Sequence, residues 1–242
     1  MLNQDNNFMN TGTAFGAKSV TYDAGLRAFM LRIFNTVAAG LAVSGLTAFA
    51  VFSVPALRGI FMNPAVSMVI GLGLLAFLWF GMNPAKTMQQ SVSSLRTKYY
   101  IFTALLGTTL SYVFLAYSGA SITRVFFITA AMFAGTSLLG YTTKRDMTGL
   151  GSFFMMGLIG IILASVVNIF LKSDGLSFVV SIVSVLVFTG LIAFETQNAK
   201  RMYSEANGDD VNQKLAIHSA LGLYISFINL FQTLLSLLGG RE

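Results

Sequence analysis

The sequence has no cysteine, one histidine and only nine carboxylate side chains in 242 residues. Without cysteine there are no disulfides, thiolate metal sites or cysteine nucleophiles, although the compartment is not fixed by that absence. A lone His218 rules out a histidine-rich metal centre and the paired histidines of an HExxH protease. Charge is scarce as well. Only 10% of residues are Asp, Glu, Lys or Arg, where a soluble domain carries about a quarter. No Walker or dinucleotide glycine motif is present, so no cofactor site is expected.

What fills the chain instead is apolar: 55% of residues are hydrophobic and the mean hydropathy is +0.73. Fifteen Lys and Arg against nine Asp and Glu give +6. These cations lie between apolar runs and are not gathered on a polar domain, so they read as membrane orientation signals and not as a nucleic-acid footprint. The implied partner is the lipid bilayer.

The first thirty or so residues are rich in Asn, Thr and Gly. They carry no short apolar region with a small-residue cleavage site, so the first span is expected to serve as the targeting signal. The reading is a flexible cytoplasmic tail over 1–24 and an all-α membrane domain over 25–242. Residues 23–32, DAGLRAFMLR, read as an interfacial helix leading into the first span.

A membrane-spanning helix needs about 20 mostly apolar residues. Seven segments qualify: 33–53, 65–82, 100–118, 124–142, 152–171, 176–196 and 214–238. Short connections such as YSGAS (117–121) and KSDG (172–175) require antiparallel neighbours. Asn-Pro at 63–64 and 83–84 brackets the second span, where proline disfavours helix for the residue before it. Placing the N-terminus inside puts eleven cations in inside segments and four in outside ones, so the C-terminus is expected outside.

Eight of the nine acids fall in tails or loops, and Glu195 alone ends a span, in LIAFETQNAKRM (191–202). An ionisable group in the bilayer is costly and usually serves a pathway or a partner. The competing reading has Glu195 at the interface, paired with Lys200 or Arg201 and merely ending the helix. In the seventh span His218, Gly222, Ser226, Asn229, Thr233 and Ser236 recur at helical spacing, forming a polar stripe. That stripe reads equally as a lined pathway or as ordinary packing between membrane helices. Asn229, Asn168 and Asn35 each need partners for a donor and an acceptor in lipid.

A short hairpin between the sixth and seventh spans could bring His218 near Glu195. Ser137 in AGTSLLG, with His218, superficially fits an intramembrane serine protease, but the glycine expected after the serine is absent. The chain is therefore read as non-enzymatic, with no catalytic residue and no metal site.

Three ordered stretches resemble the Bax inhibitor-1 family: GYTTKRDMTGLG (140–151), AFETQNAKRM (193–202) and LGLYISFINLFQTLLSLLG (221–239). The resemblance covers roughly residues 25–239 and is that of a bacterial inner-membrane member. It implies a seven-helix bundle whose last helix is surrounded by six others. It further implies a pH-sensitive calcium leak or, in some relatives, modulation of a membrane-bound quality-control protease. In the family's gate one acid ends the sixth span, here Glu195, and a second lies in the seventh, where this chain has Ser226. The family's basic partner near the end of the second span has Lys86 as its nearest counterpart. Two neighbouring carboxylates cannot both ionise cheaply, which makes such a pair a pH switch. With Ser226 in place of one acid, the expectation is a weaker or acid-shifted gate, or a member that does not conduct calcium.

Overall fold

The computed structural model describes residues 9–83 and 87–240, with side chains from Ala24 onward. Among the described residues seven helices are long and apolar enough to cross a membrane. They are α1 (Met9–Ser53), α2 (Pro64–Gly81), α3 (Val92–Leu110), α4 (Gly119–Thr142), α5 (Thr148–Leu171), α6 (Asp174–Met202) and α7 (Gly208–Leu238). Short helices over Pro55–Phe61 and Val113–Ala116 follow α1 and α3. Among the described residues there is no strand.

Local signals set many of the helix ends. Asn63, Ser91, Ser118 and Ser173 each accept a backbone N–H in the first turn of α2, α3, α4 and α6. Pro64 opens α2, where its missing N–H is no loss. At the end of α5, Lys172 takes a left-handed conformation with φ 48°. The side chain of Asn168 accepts from Ser173 N at 3.0 Å there, so this asparagine spends its carbonyl on capping the turn.

α7 is the axis of the bundle. Of its most apolar stretch, 56% is buried inside the protein, against 0% for α5 and 6% for α2. It packs on α1, α3, α4 and α6, whereas α5 rests chiefly on α6 and α2 on α3. In lipid the apolar outer faces of α2 and α5 cost nothing, so these helices lie at the periphery. At 18 residues α2 is about 27 Å long, enough to span the hydrocarbon layer. The segment 23–32, expected as a separate interfacial helix, is continuous with the first span. Leu26, Phe29 and Met30 are buried in the core, which holds this turn in the bundle.

The centre contains a polar knot that hydropathy does not reveal. Ser44 of α1 lies within hydrogen-bond reach of the carbonyls of Gly40 and Thr103 and of the Tyr224 hydroxyl. Ser44 has a single proton to give to a carbonyl, so Tyr224 is the donor in their shared bond. Tyr99 of α3 donates to Thr36 O at 2.9 Å. Both tyrosine side chains are fully buried, and this knot ties α1, α3 and α7 together.

Candidate functional site

The sixth span runs two turns past Glu195, to Met202. Glu195 therefore lies within the helix and not at its end. The residues after it are polar yet anchored. Lys200 Nζ donates to the Tyr141 carbonyl at 2.8 Å and sits 5.0 Å from the centroid of that ring. Arg201 pairs with Asp146 at 2.8 Å and donates to Thr148 Oγ1 at 2.8 Å. Neither cation is bound to Glu195, so the interface-pair reading is not what the side chains do.

The partner of Glu195 is on α7. Ser226 Oγ donates to Glu195 Oε2 at 2.9 Å. One turn earlier on the same face is Gly222, whose missing side chain makes room for the carboxylate. A Cβ there would stand 3.1 Å from Oε1 and 3.4 Å from Cδ. Glu195, Gly222 and Ser226 thus form one contact across the α6–α7 seam. Ser226 is buried and Glu195 half-buried.

The other expected residues stand apart from this contact. His218 is half-buried, its Nδ1 has no hydrogen-bond partner, and no hydrogen bond or ion pair joins it to Glu195. Ser137 Oγ is likewise buried without a partner, so the candidate Ser137–His218 dyad is not hydrogen-bonded. Asn229 donates from Nδ2 to Ile225 O at 2.9 Å, within its own helix. It lines, with Thr109 and Gln232, a cleft of about 390 Å³ that α2, α3 and α7 share. Asn35 is exposed. Lys86 lies outside the described residues. Lys98, nearly two turns into α3, is a described cation at the end of α2, with Nζ 2.6 Å from Gln90 Oε1 and 3.5 Å from Gly81 O.

One residue missed by sequence reasoning organises this end of the bundle. Gln197 is buried, accepts from Met147 N at 2.9 Å, and donates to Arg145 O at 2.8 Å. With Lys200 and Arg201 it clasps the 140–151 stretch to α6. Gly140 supports the same crossing, because its Cα faces the Ala193 backbone with no space for a side chain. Two of the three quoted motifs are therefore halves of one contact. The signal available in the sequence was a polar amide beside Glu195 in an otherwise apolar helix.

Chemically, the seam offers one carboxylate and one hydroxyl. Ca²⁺ takes about six to eight oxygen ligands, so these two side chains make no resident calcium cage. Among the described residues no three His, Cys, Asp or Glu side chains are grouped to hold a metal.

Comparison with known proteins adds a family. The family model described as inhibitor of apoptosis-promoting Bax1 matches residues 26–242. A protein of Caulobacter vibrioides is 45% identical over 234 residues, covering 92% of each chain. One of Rickettsia prowazekii is 43% identical over 93% of this chain and 95% of its own. The inner membrane protein YbhL of Escherichia coli K12 is 38% identical over 90% of this chain and 94% of its own.

Proposed function

Since the chain belongs to the Bax inhibitor-1 family, we propose that it is a cation leak or ion-homeostasis protein, with calcium as the ion and Glu195 as the group whose protonation sets conductance. The observation that carries this reading is the carboxylate held between two membrane helices, on Ser226 and over Gly222. An ionisable group in such a seam is a functional candidate by default. The serine hydroxyl donates to the ionised carboxylate and accepts from the protonated one, so the contact persists through a change of charge. Ions would pass along the polar side of α7, where Asn229, Thr109 and Gln232 line the cleft beside α2 and α3. His218, with an unpartnered nitrogen, is on the same helix two turns before Ser226.

Membrane placement follows the same reasoning. The similarity to YbhL, an inner membrane protein, supports the inner membrane. The eleven-to-four distribution of cations supports a cytoplasmic N-terminus and an outside C-terminus. Glu195 then lies in the cytoplasmic half, and no catalytic role is assigned.

One observation favours a second reading. The acid pair of the family's leak model is reduced here to Glu195 with Ser226, which suits a non-conducting regulator of a membrane-bound protease. Calcium flux through purified protein in liposomes separates the two. Flux above that of protein-free liposomes supports the leak. No flux, together with a membrane protease retained in pull-downs and lost on removal of residues 1–24, supports the regulator. Flux unchanged in Glu195→Gln contradicts the role given to Glu195.

A further inference from the structure

A groove of about 560 Å³ lies between α1 and α4, away from the Glu195 seam. Its volume is in the range of small-molecule sites, about 300–1,000 Å³. The polar groups along it are ordered by depth. Arg27, in the first turn of the membrane-length part of α1, and Tyr141, in the last turn of α4, stand at the same end. Ser137 is one turn deeper on α4, about 6 Å along the helix. Phe34 and Phe133 lie deeper still and meet edge to face, with centroids 6.3 Å apart.

Two of these groups are left unsatisfied by the protein. Ser137 is 4% exposed and its Oγ has no partner. Other α4 hydroxyls are spent: Thr129 and Thr136 donate to the carbonyls of Val125 and Met132. A buried hydroxyl without an acceptor is costly, and this one lines the groove. Arg27 makes no hydrogen bond or ion pair among the described residues, whereas Arg32, Arg201 and Lys214 pair with Asp209, Asp146 and Asp210. Among the described residues no acid lines the groove.

We infer that this groove binds one anionic phospholipid of the bilayer, with its phosphate on Arg27, an ester carbonyl on Ser137 Oγ and an acyl chain against Phe34 and Phe133. A phospholipid presents phosphate, then glycerol esters, then hydrocarbon in that order of depth, and the groove meets each with the matching chemistry. The small side chain of Ala134, beside Ser137 and Phe133, leaves the passage open. A zwitterionic lipid would place its cationic headgroup beside Arg27, where no acid among the described residues lines the groove to receive it, so an anionic headgroup is preferred.

The test is native mass spectrometry of the full chain released from mixed phosphatidylglycerol and phosphatidylcholine membranes. Wild type retains one phosphatidylglycerol over phosphatidylcholine by about fivefold, the effect of one exposed cation near anionic lipid. Arg27→Gln brings the two lipids to parity, Arg27→Lys keeps the preference, and Ala134→Phe retains neither lipid. Soluble glycerol phosphate displaces nothing, because the acyl chain is part of the ligand. Helical circular dichroism shows that each variant is folded. Equal retention of both lipids by wild type overturns the proposal, as does unchanged phosphatidylglycerol binding in Arg27→Gln and Ala134→Phe. Loss of preference in Arg27→Lys also overturns it, since charge would then not be what Arg27 provides.

Discussion

Ser226 donates its hydroxyl to the carboxylate of Glu195 across 2.9 Å, and this bond links the last third of α6 to the central helix α7. Its two ends respond differently to substitution. Ser226→Ala removes the donor and leaves the carboxylate without a partner in the seam, at a cost of about 1–2 kcal/mol. The thermal midpoint in detergent falls by a few degrees, and Ser226→Thr, which keeps the hydroxyl, recovers part of the loss.

Ser226→Asp is expected to act in a different way. It sets two carboxylates face to face, which share a proton because both cannot ionise cheaply. Liposome calcium flux should then depend more steeply on pH than in wild type. Adding Glu195→Gln to this variant should flatten the profile again, which distinguishes paired-acid behaviour from a general loosening of the seam.

Gly222 sets how closely Glu195 approaches α7. A methyl at this position stands 3.1 Å from Oε1, a contact the carboxylate can relieve by moving a few tenths of an ångström. Gly222→Ala is thus expected to fold and to alter the pH response modestly. Gly222→Val fills the space that Glu195 occupies and should abolish that response. Flux profiles of the two variants at matched protein density provide the check.

Gln197 holds the connection between α4 and α5. Gln197→Ala leaves the Met147 N–H and the Arg145 carbonyl without their partner, each loss costing about 1–3 kcal/mol if no water replaces it. The expected result is a lowered thermal midpoint and faster proteolysis within residues 142–148. Gln197→Glu keeps the acceptor for Met147 but cannot donate to Arg145, so its effect should be intermediate.

Asp146 gives a pH signature outside the membrane-spanning segments. Hydrogen bonds from the Thr148 hydroxyl and N–H, followed by Arg201, hold its carboxyl at about 2, below the ordinary 3.8. A group lowered in this way contributes stability that is present above pH 3.8 and lost as the pH falls through about 2. Wild type should be more stable than Asp146→Asn at neutral pH, with the difference vanishing near pH 2. Thermal unfolding of both proteins across that range measures it.

The seven spans were legible because each is an apolar run long enough to stand alone against the background of loops. Seating Glu195 two turns inside α6 was not legible. The polar residues that follow it look like the start of a loop until their partners Tyr141, Asp146 and Thr148 are known. The same holds for Gln197, whose partners lie about fifty residues away in the chain. Helical spacing placed Ser226 and Asn229 on one stripe, yet they differ by about 60° around the helix. That angle is enough to put Ser226 against α6 and Asn229 beside α2 and α3. Asn168 shows the opposite case, an asparagine with an ordinary capping task.

Glu195 is the group proposed to set conductance. The direct measurement is calcium flux from liposomes at pH 6 and pH 8, for wild type and Glu195→Gln at equal incorporation. The expected result is a wild-type flux that differs between the two pH values and a Glu195→Gln flux that does not. A Glu195→Gln protein that keeps the wild-type pH response would contradict it.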